Sequence, residues 1–325
     1  MVEHRFTKLV AFAAFALLVI GGTVNATGSS LACPEPTILC NDQFFPPMVG
    51  GVFYEHGHRL VAETVGLLQI CLTILLMLER PRLSMLLWIV IAPRRLVREI
   101  IKSRSPNKKL ALILFAMVCA QGTLGAITVA YKLPWYVSTG HLLLGMSYFA
   151  TLVYTAFRTR PAPSVVSLEQ HERRRAELGA ASKWIAIACG AVLLQLLLGA
   201  LVRHLGAALV CLGMPTCTIG GDWLPDVPVQ QLHMLHRAVG VVVGIITTIA
   251  AIKVYRSARS WPGLRTLALV APLLVAGQIA LGIFTVMTVR AVPLAVAHFA
   301  GATSLWGLWI SAWFMTRSRL AKPSV

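Results

Sequence analysis

Four of the chain's nine histidines, His58, His141, His236 and His298, stand at matched places in two similar stretches of sequence. At an offset of 178 residues Gly21 aligns with Gly199, Val24 with Val202, Gly28 with Gly206, Cys33 with Cys211, His58 with His236 and Arg59 with Arg237. At an offset of 157, Gln121 falls on Gln278, Gly125 on Gly282, Thr128-Val129 on Thr285-Val286 and His141 on His298. The offset drops by 21 because the first half carries extra residues, most simply the basic link containing Leu83 to Ala92. One histidine in an apolar run is ordinarily a hydrogen-bonded core residue or an interfacial aromatic. Repetition as two pairs points to metal chemistry instead, since two imidazoles on facing helices at one depth bind a haem axially. Zinc fits less well, because no third or fourth ligand recurs in both halves.

The residues around these histidines add chemistry and an asymmetry. Three residues before the first histidine of each half, one helical turn away, stands Glu55 in "EHGHR" but His233 in "HMLHR". A carboxylate one turn from a prosthetic-group ligand can handle protons or orient a substrate, or it can be an interfacial charge facing water. Arg59 and Arg237 can pair with carboxylates such as haem propionates through a bidentate fork, or snorkel to water. His56 and His204 have no repeat partner and read as interfacial residues. Of seven cysteines, Cys71, Cys119 and Cys189 fall within apolar runs as small fillers, while Cys33 with Cys40 and Cys211 with Cys217 share loops and are expected to form two disulfides. A structural staple is the simpler role for the first pair, with a redox role as the alternative.

Membrane spans must position these groups. The chain of 325 residues is 57% hydrophobic and 13% charged, with a mean hydropathy of +0.75, which excludes an ordinary soluble enzyme. A window of about 20 apolar residues finds eight spans, near 8–28, 58–78, 109–130, 137–157, 183–203, 233–252, 265–289 and 293–316. The run Leu83 to Ala92 is too short and reads as an interfacial or loop segment. The first span has the flanks of a cleavable signal peptide, but its likeness to the fifth favours retention. The expected fold is an all-α integral membrane protein: tandem four-helix bundles with the same orientation, related by a pseudo-twofold axis along the membrane normal. Its parts are an N-terminal half at 1–160, a cytoplasmic linker at 161–182 and a C-terminal half at 183–325. The net charge of +17 and the pI of 10.3 suggest nucleic-acid binding at first sight. The basic residues punctuate the spans instead, 24 on the side of the termini against 5 on the other, so the termini are expected to be cytoplasmic and no nucleic-acid partner is expected. The paired cysteines and matched histidines then share the outer side.

The residues together resemble the haem A synthases of respiratory bacteria and mitochondria. The likeness covers nearly the whole chain through "EHGHR", "STGH", "CLGMPTC", "QLHMLHR", "VAHFAG" and a Gln-x-x-x-Gly-x-x-Thr-Val pattern in spans three and seven. In the first cysteine loop the family's usual Trp-Pro is replaced by Pro36-Thr37-Ile38-Leu39. The resemblance implies an eight-helix oxidoreductase of the bacterial inner membrane that oxidises the C8 methyl of haem O to the formyl of haem A. His236 and His298 would ligate a haem b cofactor, with Arg237 beside it. His58 and His141 would ligate or position haem O, with Arg59 beside them and Glu55 as a catalytic residue, and Cys33–Cys40 would support activity. The substrate's poor solubility suggests direct transfer from a haem O-making enzyme or to oxidase assembly factors. The electron donor and self-association are left open. The alternatives are a dihaem electron carrier, disfavoured because all four histidines lie at one face, and a haem transporter or chaperone.

Overall fold

The computed structural model describes residues 1–161, 167–218 and 220–317. Ten α-helices and no strand occur among the described residues: α1 (Val2–Ala26), α2 (Gly50–Met77), α3 (Trp88–Ile91), α4 (Pro93–Lys102), α5 (Lys108–Ala130), α6 (Trp135–Arg158), α7 (Leu168–His204), α8 (Pro228–Ser257), α9 (Pro262–Met287) and α10 (Val292–Arg317). Short 3-10 turns at Leu83–Leu87 and Ala207–Leu209 complete the list. Eight helices, all but α3 and α4, are long and apolar enough to cross a membrane, so the chain is a multi-pass membrane protein. Side chains such as Phe12 and Leu273, 71% and 73% exposed, give these helices outward apolar faces suited to lipid.

Two compact units divide the chain after Pro161. In the first, α1 packs on α2 and α6, and α5 closes the ring by packing on both. Its core holds Val10 and Ala14 of α1, Leu72 and Leu76 of α2, Leu114 of α5 and Leu152 of α6. The first apolar run is therefore a full wall of this bundle. In the second unit α7 packs on α8 and α10, and α9 closes against both. Trp309 of α10, Ile185 of α7 and Leu264 of α9 are fully buried there.

Polar links bind the first core as well. Tyr148 Oη donates to Gln69 Oε1 at 2.7 Å, and Gln69 Nε2 donates to Thr73 Oγ1 at 3.0 Å, all buried. Tyr148→Phe strips Gln69 Oε1 of its donor and is expected to cost about 1 kcal/mol. That appears as a lower unfolding midpoint in detergent than for Ser147→Ala, whose exposed hydroxyl bonds only its own helix. Equal midpoints would show that the link contributes nothing.

Helix ends explain one matched pair of glycines. After α1 the chain turns at Gly28, φ +69°, with Ser29 N–H donating to Val24 O at 2.9 Å and Gly28 N–H to Asn25 O at 3.1 Å. These are the paired bonds of a helix stop whose left-handed residue suits glycine. Gly206, φ +70°, follows α7 in the same way. Each stop sends the chain into a cysteine loop.

Two boundaries differ from those expected. The histidine-bearing helices begin earlier than hydropathy places them: His58 and His236 are the ninth residues of α2 and α8, and His141 and His298 the seventh of α6 and α10. They therefore lie about two turns inside their helices, roughly 9–12 Å from the first residue. Polar residues early in the helix, such as Tyr54-Glu55-His56 in the second turn of α2, lower the hydropathy without breaking the helix. Second, much of the 161–182 linker is helix, because α7 starts at Leu168 and runs unbroken for 37 residues. The Ser167 side chain accepts from Gln170 N–H, and Arg173 pairs with Glu177 one turn on at 3.4 Å. Glu177 also accepts from Ser260 N–H at 2.7 Å, joining this extension to the α8–α9 turn.

Candidate functional site: paired histidines on glycine seats

Each matched histidine lies against a glycine of the neighbouring helix. A methyl group at Gly21 of α1 would sit 3.0 Å from His58 Nε2, and one at Gly125 of α5 would sit 3.3 Å from His141 Cε1. In the second unit a methyl at Gly199 of α7 would come 3.2 Å from His236 Cε1, and one at Gly282 of α9 would come 3.1 Å from His298 Cε1. Such distances are tight for a real side chain, so glycine is what lets each ring lie on the adjacent backbone. His58 and His141 stand on helices of one four-helix ring, and His236 and His298 on helices of the other, each about two turns in from the start of its helix. The structure thus brings together the members of each expected pair.

Glutamines support three of the four. Gln121 Nε2 donates to the His141 carbonyl at 2.9 Å, Gln195 Nε2 to that of His236 at 3.0 Å, and Gln278 Nε2 to that of His298 at 2.7 Å. His298 Nδ1 also donates to the Gln278 carbonyl at 3.1 Å, which leaves Nε2 as the ring's ligand atom. The repeat marks Gln121, Gln278 and all four glycines, but nothing in the sequence says that they act as seats and struts. Gln195 aligns with Leu17 and carries no such signal.

Polar atoms remain to be satisfied at these sites. His141 Nδ1 and the Oε1 atoms of Gln121, Gln195 and Gln278 are buried without a hydrogen-bond partner. Paired imidazoles, seats shaped to flat rings and uncompensated buried polar atoms suit a planar, metal-centred group in each unit.

The two arginines hold the cysteine loops. Arg59 Nη1 donates to the carbonyls of Glu35, Thr37 and Leu39 at 2.6–2.8 Å, and Nη2 donates to Cys33 O at 2.8 Å and to the Glu55 carboxylate at 2.7 Å. Arg237 donates to Cys211 O at 2.6 Å, Gly213 O at 2.8 Å and Thr216 O at 3.1 Å. In this structure both guanidinium groups are engaged by the carbonyls of their cysteine loops. Short loops leave carbonyls without helix or sheet partners, and a five-donor guanidinium can satisfy several at once.

Both cysteine loops are closed by disulfides, Cys33–Cys40 and Cys211–Cys217. In denaturant without reductant, alkylation is expected to add three groups, at Cys71, Cys119 and Cys189, and seven after reduction. Seven at the outset would rule out both bridges. Within the first loop Glu35 accepts from the N–H groups of Asn41 and Asp42, whose φ angles are 52° and 60°. Its carboxyl lies below the ordinary carboxylate range, chiefly through its own N–H. This cap is complete at neutral pH and persists as the pH falls until that lowered pKa is crossed.

Glu55 is 4% exposed, and besides its pairing with Arg59 it accepts from Cys33 N–H at 2.9 Å. It therefore does not face water, and it joins the disulfide loop to the helix of His58. His233, its counterpart, is also buried. His56, expected at an interface, is 1% exposed. Its Nε2 bonds to Phe44 O at 3.1 Å, and its ring lies within 4.8 Å of the Cys33 and Cys40 sulfurs. The loop folds back over α2 and covers it.

Eight apolar helices in two four-helix rings, each with a histidine pair on glycine seats, define a multi-pass membrane protein built around paired-imidazole sites. The chain belongs to the COX15-CtaA family, described as cytochrome oxidase assembly protein, whose profile matches residues 49–310. It is similar to "Heme A synthase" of Shouchella clausii, 28% identical over 295 residues covering 88% of this chain and 87% of that one. A "Heme A synthase" of Geobacillus kaustophilus is 28% identical over 307 residues, covering 93% and 88%. That of Shewanella oneidensis is 25% identical over 275 residues, covering 77% and 72%.

Proposed function

We propose that this protein is a haem A synthase, an oxidoreductase that converts the C8 methyl of haem O to a formyl group. The observation that carries the reading is the pair of glycine-seated histidines in each unit, within a family and among relatives of that name. In this reading His236 and His298 hold a haem b cofactor in the second unit, and His58 and His141 hold the substrate haem O in the first. The tandem sequence repeat supports two copies of one four-helix plan, 1–160 and 183–325, with different duties. The 24-to-5 distribution of basic residues supports cytoplasmic termini in a bacterial inner membrane.

Haem b, when bound, supplies a redox-active iron. The chain's own residues do the rest. His58 and His141, each seated on a glycine of the neighbouring helix, fix the substrate's depth and orientation. Glu55, held by Arg59 and the Cys33 N–H, places a fixed negative charge one turn from His58. Methyl to formyl is a net four-electron oxidation, R–CH3 + H2O → R–CHO + 4H+ + 4e−, which runs through the alcohol and a geminal diol that loses water to the aldehyde. An external electron acceptor takes up the four electrons. Direct transfer of haem O from the enzyme that makes it, and of the product to oxidase assembly factors, suits so insoluble a substrate.

The test is expression in cells that make haem O, followed by acid extraction and pyridine haemochrome spectra. Haem A is expected with the intact chain and not with His58→Ala, while haem b stays bound in that variant. Haem O and haem b alone, in cells competent to supply substrate and electrons, would refute the assignment.

A further inference from the structure

The α2–α5 connection runs over residues 78–107, whereas α8 and α9 are joined by 258–261 alone. The described function does not use this longer connection. We propose that it is a binding site for the headgroup of an anionic phospholipid.

Two features converge there. A cavity of about 540 Å³ is lined by Arg80, Arg82, Arg95 and Lys102 against Glu79 and Glu99. Among the described residues none of the four cations pairs with a carboxylate. A phosphodiester would supply the missing anion, and guanidinium groups bind phosphate oxygens in bidentate fashion. Beside the cavity, Leu87, Val90, Ile91 and Ile101 turn outward, with Val90 84% and Ile91 72% exposed. The segment starts where the spanning helix α2 ends, so the surface that these apolar side chains meet is the bilayer. Trp88, with Arg95 stacked 4.3 Å over its ring, is an aromatic and cationic pair of the kind that anchors at the headgroup level.

A free phosphate would satisfy the cations but leave the apolar rim bare. A phospholipid satisfies both, its phosphate in the basic cavity and its chains along the rim. The cavity is large enough for a headgroup.

The test uses the purified, delipidated full chain in neutral detergent, with lipid retention read by native mass spectrometry. Phosphatidylglycerol is expected to be retained over phosphatidylcholine by roughly 25-fold, about fivefold for each of two engaged basic residues. The double variant Arg82→Gln/Arg95→Gln is expected to lose that preference, and Arg82→Lys/Arg95→Lys to keep most of it, which separates loss of charge from misfolding. Equal retention of the two lipids by the intact chain would overturn the proposal, as would an unchanged preference in the glutamine variant. Displacement of the lipid by inorganic phosphate at equal concentration would also overturn it, because the site would then belong to a soluble anion.

Discussion

On the proposed assignment, Gly282→Leu is expected to cost the second unit most of the haem b that His236 and His298 would hold. The glycine sits on α9 where a single added methyl already falls 3.1 Å from His298 Cε1, so a leucine must push the imidazole off its seat. His298 would then lose the geometry in which Nδ1 donates to the Gln278 carbonyl. Disturbing the partner that orients a ligating histidine typically weakens metal binding roughly 10–100-fold. The haem b content per protein, by pyridine haemochrome, should therefore fall at least about tenfold on that basis. Gly277→Leu is the control: it lies on the same helix, and nothing stands within 4 Å of its added carbon. Full haem content in Gly282→Leu would show that the ring needs no seat, and an equal loss in both variants would trace the effect to α9 as a whole.

On the same assignment, Glu55→Ala is expected to reduce conversion of haem O by about 100-fold or more, the range for a lost acid–base group, while haem b content is unchanged. The carboxylate has two partners, the buried Cys33 N–H and the Arg59 guanidinium, whose side chain is 13% exposed. Removing it leaves a desolvated cation without its counter-charge, a change that typically costs roughly 3–5 kcal/mol. Glu55→Gln tells the two duties apart, since an amide oxygen can still accept from Cys33 while the charge is gone. If the carboxylate acts only by holding the loop, glutamine restores most of the activity and the slow amide exchange of residues 33–40. A requirement for charge at the site leaves glutamine as inactive as alanine. Wild-type conversion in Glu55→Ala would show that the difference between Glu55 and His233 has no bearing on the chemistry.

The spans and the histidine pairs were legible in the sequence for physical reasons. Hydrocarbon demands long apolar runs, so eight helices stand out in composition alone. Ionisable residues are costly there, so a matched His58, His141, His236 and His298 is conspicuous. The rest depends on geometry that no pattern carries. Arg59 looked like a partner for an anion because it follows a histidine; its anion in this structure is the Glu55 carboxylate, and its other partners are carbonyls 20–26 residues earlier, brought close only when the disulfide loop folds over α2. His56 looked interfacial for want of a repeat partner, and the same loop buries it. The glycines recurred in register, yet their use is visible only when a ring is found beside them. The start of α7 was hidden by its charges, which suit a helix in water as well as a loop.

That long α7 has a consequence for membrane thickness. At 1.5 Å per residue its 37 residues extend roughly 55 Å, well beyond a hydrocarbon core of about 30 Å. The surplus lies at its charged N-terminal end, where Glu177 grips Ser260. A bilayer that thins or thickens by a few ångström can therefore slide along the helix without altering that grip. Gly199, near the other end of the same helix, keeps its place against His236, so the depth of this imidazole relative to its bundle is fixed by protein contacts and not by the lipid.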